Sequence, residues 1–175
     1  IAKGYGVDRA WSAMEAQGAK AALLNLSGNM MLRGSPPNRT KWSIGIRDPK
    51  GRWPSIGTLE LTNCALATSG AYEQFVDEGG KRFGHILDPK TGWPTDDLHA
   101  VTVVTETAMQ ADAWGTALFV LGTEQAKEVA KRETIVQAIL LEPKSDKYVI
   151  WIEESLRSSF AIRPEIAEHF ELRIF

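Results

Sequence analysis

The sequence predicts an α+β fold in which a mixed, mostly antiparallel sheet is flanked by helices. Strand-like segments follow one another in runs, and helical segments separate only some of them, which disfavours a doubly wound parallel sheet. The composition is that of an ordinary globular protein, with 43% hydrophobic and 24% charged residues. The length of 175 residues is enough for one domain with its own apolar core.

The first half of the chain is predicted to contain one helix and most of the strands. Val7, Trp11 and Met14 recur at helical spacing. The helix should therefore cover about residues 6–18 and end at Gly18. Short apolar runs and alternating patterns predict strands near residues 21–26, 30–33, 42–46, 57–62, 64–69, 81–87 and 99–105.

The second half is predicted to contain two consecutive helices and a late hairpin. In chain order, the two helices and two strands should lie near residues 108–121, 124–131, 135–141 and 147–152. The pattern is less clear towards the C-terminus, where residues 164–170 are consistent with a short helix. We therefore expect one domain over residues 1–160 and a C-terminal tail over residues 161–175.

Charge and composition exclude several kinds of partner and site. The net charge is −2 and basic residues are interspersed with acidic ones, so we expect no nucleic-acid or membrane-binding surface. The single cysteine, Cys64, excludes an internal disulfide and a multi-cysteine metal site. No apolar run approaches the roughly 20 residues of a membrane-spanning helix, and no signal peptide is recognisable.

A rigid turn at residues 85–94 is the first candidate for a catalytic or ligand-binding segment. Pro89 fixes one backbone angle, Gly92 permits a positive φ, and Asp88 or Thr91 can bond to the backbone of the turn. Such a loop can hold His85 against a ligand. The alternative is a purely structural turn with a histidine at its edge, and the residue types alone do not decide between the two.

The second candidate is the helix predicted after residue 107. Thr107 and Gln110 have the spacing of a capping box, which specifies where the helix begins. Asp112 and Thr116 are four residues apart and share a helix face, so a carboxylate and a hydroxyl lie side by side. Mg²⁺ favours such hard oxygen ligands, completed by phosphate and water. The alternative is that Asp112 is solvated and Thr116 bonds to its own helix.

Two glycine-containing segments are weaker candidates for nucleotide binding. Gly4 and Gly6, in the segment 3–8, would expose backbone N–H groups beside a lysine, as in phosphate sites. Their spacing matches neither a P-loop nor a dinucleotide motif. Tyr72, in the segment 69–73, could stack on a ring, although a place in the core is commoner for such an aromatic residue.

Taken together and in this order, the segments resemble the ApbE family of FAD:protein FMN transferases. The resemblance covers about residues 1–160, and its most specific part is the pair HILDPKTGWP (85–94) and AMQADAWGTAL (108–118). The other matching segments are IAKGYGVDRA (1–10), LLNLSGN (23–29) and ALATSGAYEQF (65–75). The resemblance implies an ApbE-like, T-fold-like architecture. Residues 1–10 lie in mid-chain in the family, so we expect the N-terminal half of that architecture to be missing here.

The resemblance also implies an activity and its residues. The enzyme would need Mg²⁺, cleave FAD as its substrate, attach FMN to a Ser or Thr of another protein and release AMP. His85 would be the catalytic base, and the metal ligands would be Asp112, Thr116 and the backbone carbonyl of Ala2. The residues expected to line the FAD site are Lys3, Gly4, Tyr5, Asp8, Gly70, Tyr72, Glu73, His85 and Thr107.

The expected partners are FAD and an acceptor flavoprotein subunit of a respiratory or redox complex. The resemblance favours a periplasmic lipoprotein of the inner membrane, attached only through an N-terminal lipid anchor outside this sequence; a cytoplasmic location is the alternative. Three alternatives stay open at this point. They are an FAD-binding protein, an FAD pyrophosphatase that produces FMN and AMP without a protein acceptor, and a catalytically inactive structural domain.

Overall fold

The computed structural model describes residues 1–72, 74–145 and 147–175, and the side chains of Lys81 and Arg82 also lie outside the described part. The helices are α1 (Ala2–Ala16) and α2 (Ala108–Arg132), with short 3₁₀ helices at Glu154–Ser159 and Pro164–His169. The strands are β1 (Ala22–Leu26), β2 (Asn29–Arg33), β3 (Trp42–Ile46), β4 (Gly57–Leu61), β5 (Cys64–Gly70), β6 (Phe75–Glu78), β7 (Lys81–Gly84), β8 (Ala100–Thr105), β9 (Gln137–Pro143), β10 (Tyr148–Ile152), β11 (Phe160–Ile162) and β12 (Phe170–Ile174).

Seven of the described strands form the main sheet, in the order β1-β2-β5-β8-β9-β10-β12. Neighbouring strands are antiparallel except β10 and β12, which run parallel. A smaller sheet has the order β11-β4-β3, and β6 pairs with β7 in a separate hairpin. This arrangement confirms the predicted α+β class with a mixed, mostly antiparallel sheet.

The main sheet lies between two apolar layers. The central strand β8 is buried along its whole length, and its side chains alternate between the two faces. Val101 and Val103 belong to a cluster with Phe119 of α2. Val104 belongs to a second cluster that includes Leu59 of the smaller sheet. Burial on both faces explains why this strand is a continuous apolar run in the sequence.

Helix α1 packs closely against the start of α2. A Cβ atom on Gly4 would lie 2.2 Å from the carbonyl oxygen of Ala108, so only glycine allows this approach. Val7 and Trp11, further along α1, bury their side chains in a cluster with Ala108. This contact places the first turn of α1 beside the first turns of α2.

Both helices differ in detail from the prediction. Helix α1 begins at Ala2 rather than near residue 6, because its packing on α2 outweighs the low helix propensity of its glycines. Helix α2 is interrupted at Gly122, which has φ 73° and ψ 176°. The break separates the two predicted helices. The Thr123 N–H after it donates to Asp97 Oδ2 at 2.7 Å, which caps the second segment.

The strand predicted over residues 81–87 is shorter in the structure. β7 ends at Gly84, and Leu87 forms only an isolated bridge with Pro94. Its partner β6 was not predicted, because this strand has four residues and all four are exposed. A strand with no buried face has no alternating pattern to detect.

The C-terminal strands β11 and β12 were not predicted either. β11 pairs with β4, and β12 is the last strand of the main sheet, with Phe170 opposite Tyr148 of β10. The residues after 160 therefore contribute to both sheets. The 3₁₀ helix at Pro164–His169 lies where a short helix was predicted. None of the described helices is long and apolar enough to cross a membrane.

Candidate active site

Asp112 lies where α1 meets α2, and the start of α1 holds its carboxylate. Its Oδ2 accepts a hydrogen bond from the Gly4 N–H at 2.9 Å. Asp112 is only 8% exposed, and no described residue donates a hydrogen bond to its Oδ1. One oxygen of a largely buried carboxylate is thus left for a further partner.

The surroundings of Asp112 act on its charge in opposite directions. Burial raises the pKa of this carboxyl group, whereas the hydrogen bond from the Gly4 N–H and the charge of Lys3 lower it. The Gly4 N–H and Lys3 therefore favour the ionised carboxylate.

Thr116 lies one turn after Asp112 on α2. Its Oγ1 is 3.4 Å from the Asp112 carbonyl oxygen and 3.4 Å from Ser69 Oγ at the end of β5. Both distances are long for a hydroxyl group, so the oxygen remains available to a stronger partner. No group of three or more His, Cys, Asp or Glu side chains able to hold a metal occurs in the described part of the chain. A carboxylate and a hydroxyl fit Mg²⁺, which takes its other ligands from phosphate and water.

The predicted residues Ala2, Lys3 and Tyr5 lie in the first turn of α1. Ala2 is the first residue of the helix, so its carbonyl points along the helix axis towards later residues. Its role as a metal ligand stays a prediction. Lys3 and Tyr5 are exposed, and the charge of Lys3 acts on Asp112. Their contacts with FAD also stay predictions.

Asp8 and Thr107 cap the N-terminus of α2. The carboxylate oxygens of Asp8 accept hydrogen bonds from the Ala108 and Met109 N–H groups at 2.7 and 2.9 Å. The Gln110 N–H donates to Thr107 Oγ1, and the Thr107 N–H donates to Gln110 Oε1, both at 3.3 Å. The predicted capping box is thus confirmed. Contacts of Asp8 and Thr107 with FAD stay predictions beside these structural roles.

His85 directly follows β7, and the backbone of Gln74, the residue before β6, fixes its ring. Its backbone N–H donates to the Gln74 carbonyl oxygen at 3.2 Å, and its ring Nδ1 lies 3.0 Å from the same oxygen. A carbonyl oxygen can only accept, so Nδ1 carries a proton and Nε2 of the neutral ring has the free lone pair. His85 is exposed, and this nitrogen can therefore accept a proton from a ligand.

The turn after His85 has the internal bonds that its sequence predicted. Asp88 Oδ1 accepts a hydrogen bond from the Lys90 N–H at 2.9 Å. The Gly92 N–H donates to the Asp88 carbonyl oxygen at 2.8 Å, and Gly92 has φ 73°, where glycine is favoured. The turn is rigid because its own side chains and backbone bond to one another.

Two cavities among the described residues adjoin this turn. The aromatic cleft, of about 610 Å³, is lined by residues that include Lys50, Tyr72, Phe83, Trp93, Asp96 and His99. The hairpin cavity, of about 600 Å³, is lined by residues that include Phe75, Val76, Glu78, His85, Leu87 and Trp93. The residues that line both cavities are Phe83, Gly84, Trp93 and Pro94. These four residues form a wall that the two cavities share.

Gly70 and Tyr72 lie at and just after the end of β5. A Cβ atom on Gly70 would lie 2.4 Å from the Tyr72 ring, so this ring position requires glycine. The Tyr72 ring lines the aromatic cleft, and its centre is 5.6 Å from the Arg47 guanidinium carbon. Tyr72 is therefore placed where it can meet a bound ring. Glu73, the next predicted residue, lies outside the described residues.

The end of β5 connects the candidate metal ligands to His85. Ser69 contacts Thr116, and Ala71, two residues later, packs against Gly84, which precedes His85. The structure thus brings the predicted residues into adjoining regions. It does not merge them into one cavity, because the metal-ligand candidates of α2 line neither the aromatic cleft nor the hairpin cavity.

His99 was not predicted as a site residue, although it lines the aromatic cleft. Its Nδ1 lies 2.7 Å from the hydroxyl of the buried Tyr148. Burial lowers the pKa of His99, and the Lys50 charge lowers it further, against smaller opposite effects of Asp48 and Asp96. His99 is therefore neutral at pH 7. The only signal in the sequence was a histidine at the start of a buried strand, and that signal is weak.

Comparison with known proteins supports the same picture. The sequence model of the ApbE family matches residues 1–140. The chain is 32% identical over 160 residues to a protein of Escherichia coli named FAD:protein FMN transferase, covering 90% of this chain and 45% of that protein. It is 35% identical over 144 residues to the protein of the same name from Haemophilus influenzae, covering 81% of this chain and 42% of that protein.

A solved structure also matches. The flavin transferase ApbE from Vibrio cholerae superposes with a TM-score of 0.80 and 30% sequence identity, over 91% of this chain and 50% of that one. The chain thus spans about half the length of the relatives that it matches. The family match includes the turn that carries His85 and the start of α2. On this sequence match and this shared fold, the chain belongs to the ApbE family.

Proposed function

We propose that the protein is a Mg²⁺-dependent FAD:protein FMN transferase. It cleaves the pyrophosphate of FAD, attaches FMN to a Ser or Thr hydroxyl of an acceptor protein and releases AMP. The observation that carries this proposal is the orientation of His85, whose Nδ1 is bonded to Gln74 while Nε2 is left to accept a proton. The names of the relatives from Escherichia coli and Haemophilus influenzae support it.

In this proposal, His85 acts as the general base. The acceptor hydroxyl gives its proton to His85 Nε2 while its oxygen forms a bond to the phosphorus on the FMN side of FAD. The bond between that phosphorus and the bridging oxygen breaks, and AMP leaves with the bridging oxygen. The Gln74 carbonyl accepts a hydrogen bond from Nδ1 throughout, which favours the imidazolium that forms.

Asp112 and Thr116 hold the metal in this proposal, with the Ala2 carbonyl as a further candidate ligand. When it is bound, Mg²⁺ neutralises negative charge on the phosphoryl oxygens and on the departing AMP. The Gly4 N–H and the Lys3 charge favour the ionised form of the Asp112 carboxylate before a cation arrives. The free Oδ1 and the weakly bonded Thr116 hydroxyl are the oxygens that a cation would meet.

FAD binds between the start of α1 and the aromatic cleft in this proposal. The Lys3 ammonium, at the start of α1, is a donor for the pyrophosphate. Tyr72 and Trp93 offer aromatic surfaces on which a ring of FAD can stack. The end of β5 joins these two regions, so one extended ligand can contact both.

The proposed acceptor is a flavoprotein subunit of a respiratory or redox complex, and the proposed location is the periplasm. Family resemblance is the support for both statements. The exposure of His85 is consistent with a large acceptor, because a protein hydroxyl can reach the base only if the base is accessible.

The experiment uses the protein as its gene encodes it, mixed with FAD, Mg²⁺ and an acceptor protein that carries a flavinylation site. Mass spectrometry should detect one FMN added to the acceptor, and chromatography should detect AMP in equal amount. Chelation of Mg²⁺ should stop both. Free FMN and AMP without a labelled acceptor would identify an FAD pyrophosphatase, and bound FAD without turnover would identify a binding protein. Either result contradicts the proposal.

A further inference from the structure

We infer that the hairpin cavity binds the acceptor polypeptide, through a segment whose apolar side chains contact Val76, Leu87 and Trp93. These three side chains are called the apolar rim below. The inference rests on the proposed transfer function and adds to it the place where the second substrate binds. The partner is an accessible, apolar stretch of protein chain next to the target hydroxyl.

The apolar rim consists of large side chains that are exposed in the part of the protein that this chain covers. Val76, Leu87 and Trp93 are 65%, 50% and 66% exposed, and the neighbouring Phe75 is 41% exposed. In the described part of the chain, twelve large apolar side chains are exposed, and these four line one cavity. Clustering of this kind is typical of a protein-binding surface, whereas scattered apolar residues need no explanation.

The apolar rim is also held in place before any partner binds. Leu87 forms a β-bridge with Pro94, and the Asp88 N–H donates to the Trp93 carbonyl oxygen at 2.9 Å. The Trp93 ring packs against Phe83, with 6.4 Å between ring centroids. Binding to a preformed surface loses less free energy to the ordering of side chains. The rim is therefore suited to hold a flexible segment of another protein.

The two cavities offer separate places for the two substrates of a transfer reaction. His85 lines the hairpin cavity and not the aromatic cleft, whereas Tyr72 and His99 line the cleft and not the cavity. A base must lie within about 3 Å of the hydroxyl that it deprotonates, so the acceptor has to reach the hairpin cavity. The flavin can then occupy the other side of the shared wall, where Phe83 and Trp93 contribute to both cavities.

Val76→Lys and Leu87→Lys test this inference in the protein as its gene encodes it. Each change puts a charge at an exposed apolar contact and should raise the KM for the acceptor about tenfold, as expected for one lost aliphatic contact. The KM for FAD should not change. Ile135→Lys is the matched control, because Ile135 is 54% exposed and lines neither cavity. It should leave both KM values as in the wild type.

The possible results separate this inference from the proposed function. If the wild type transfers FMN and both variants have a normal KM for the acceptor, the inference is overturned and the function stands. A raised KM for FAD alone also overturns it, because the cavity then holds the flavin. If a variant loses self-association while its kinetics are unchanged, the apolar rim binds a second copy of the chain, and the inference is overturned. If the wild type transfers no FMN, the proposed function is wrong. The inference is then tested by calorimetry: weaker binding of the acceptor to the variants than to the wild type supports it, and equal binding overturns it.

Discussion

Gln74 and His85 are joined by two hydrogen bonds to one oxygen: the Gln74 carbonyl accepts the His85 backbone N–H at 3.2 Å and the ring Nδ1–H at 3.0 Å. The first bond extends the ladder of the β6–β7 hairpin by one pair, since Phe75 lies opposite Gly84 at its end. The second bond orients the imidazole. The geometry of the hairpin therefore decides which nitrogen of the histidine carries the proton.

Replacing His85 with Gln should lower the rate of FMN transfer by about 10²–10⁴-fold, the usual contribution of a general base. FAD binding should persist, because the proposed base acts on the acceptor hydroxyl. Transfer is measured by mass spectrometry of the acceptor, and binding by flavin fluorescence. His169→Gln, at a histidine outside both cavities, is the control. Transfer at the wild-type rate in His85→Gln would remove His85 from the mechanism.

Asp112→Asn should weaken the dependence of transfer on Mg²⁺. The amide oxygen can still accept the Gly4 N–H, but the charge that attracts the cation is lost. Loss of an outer-shell partner alone costs about 10- to 100-fold in metal affinity, and loss of the carboxylate should cost at least as much. The measurement is the transfer rate as a function of Mg²⁺ concentration. Glu106→Gln, at an exposed acid nearby, should leave the curve unchanged. An identical curve for Asp112→Asn would contradict the ligand assignment.

Gly4→Ala should destabilise the fold by about 1–3 kcal/mol, the usual cost of overpacking. The added methyl would lie 2.2 Å from the Ala108 carbonyl oxygen and force the two helices apart. Gly6→Ala is the matched control. Its methyl would meet only Leu26 at 3.7 Å, and it should be neutral or stabilising by about 0.5–1 kcal/mol. Urea unfolding measures both, and equal stabilities for the two variants would refute the close contact.

His99 should make stability depend on pH. Its pKa in the folded protein is lowered from the ordinary value of 6.5, mainly by burial. As the pH falls below about 6.5, the unfolded state therefore binds a proton more readily, and the free energy of unfolding decreases. His99→Gln should lose less stability than the wild type between about pH 7.5 and about pH 5.5. Urea unfolding at both pH values checks this, and parallel losses in the two proteins would contradict it.

Local sequence patterns predicted the features that neighbours along the chain decide. The capping box of Thr107 and Gln110 is present, the turn around Asp88 has the expected internal bonds, and the break at Gly122 lies between the two predicted helices. For Thr116, the alternative of a bond to its own helix occurs only as a long contact of 3.4 Å. The bonds of the capping box and of the turn join atoms only a few residues apart, so a local pattern is enough to predict them.

The remaining features depend on contacts between distant segments. The Gly4 N–H reaches Asp112 across 108 residues, and His99 reaches Tyr148 across 49. The early start of α1 likewise follows from its packing on α2, since its glycines alone disfavour a helix. Candidate catalytic and binding residues could be chosen from their residue types. Only the fold shows that Asp8 also caps α2 and that two separate cavities adjoin the turn that carries His85.

The wall between the aromatic cleft and the hairpin cavity has a thermodynamic consequence. Phe83 and Trp93 contribute surface to both cavities, so a ligand that shifts these side chains from one side changes the surface on the other side. Any such coupling between the two occupancies is mutual, because binding free energies are linked. If a ligand in the aromatic cleft changes the affinity of the hairpin cavity for its ligand by some factor, a ligand in the hairpin cavity changes the affinity of the cleft for its ligand by the same factor.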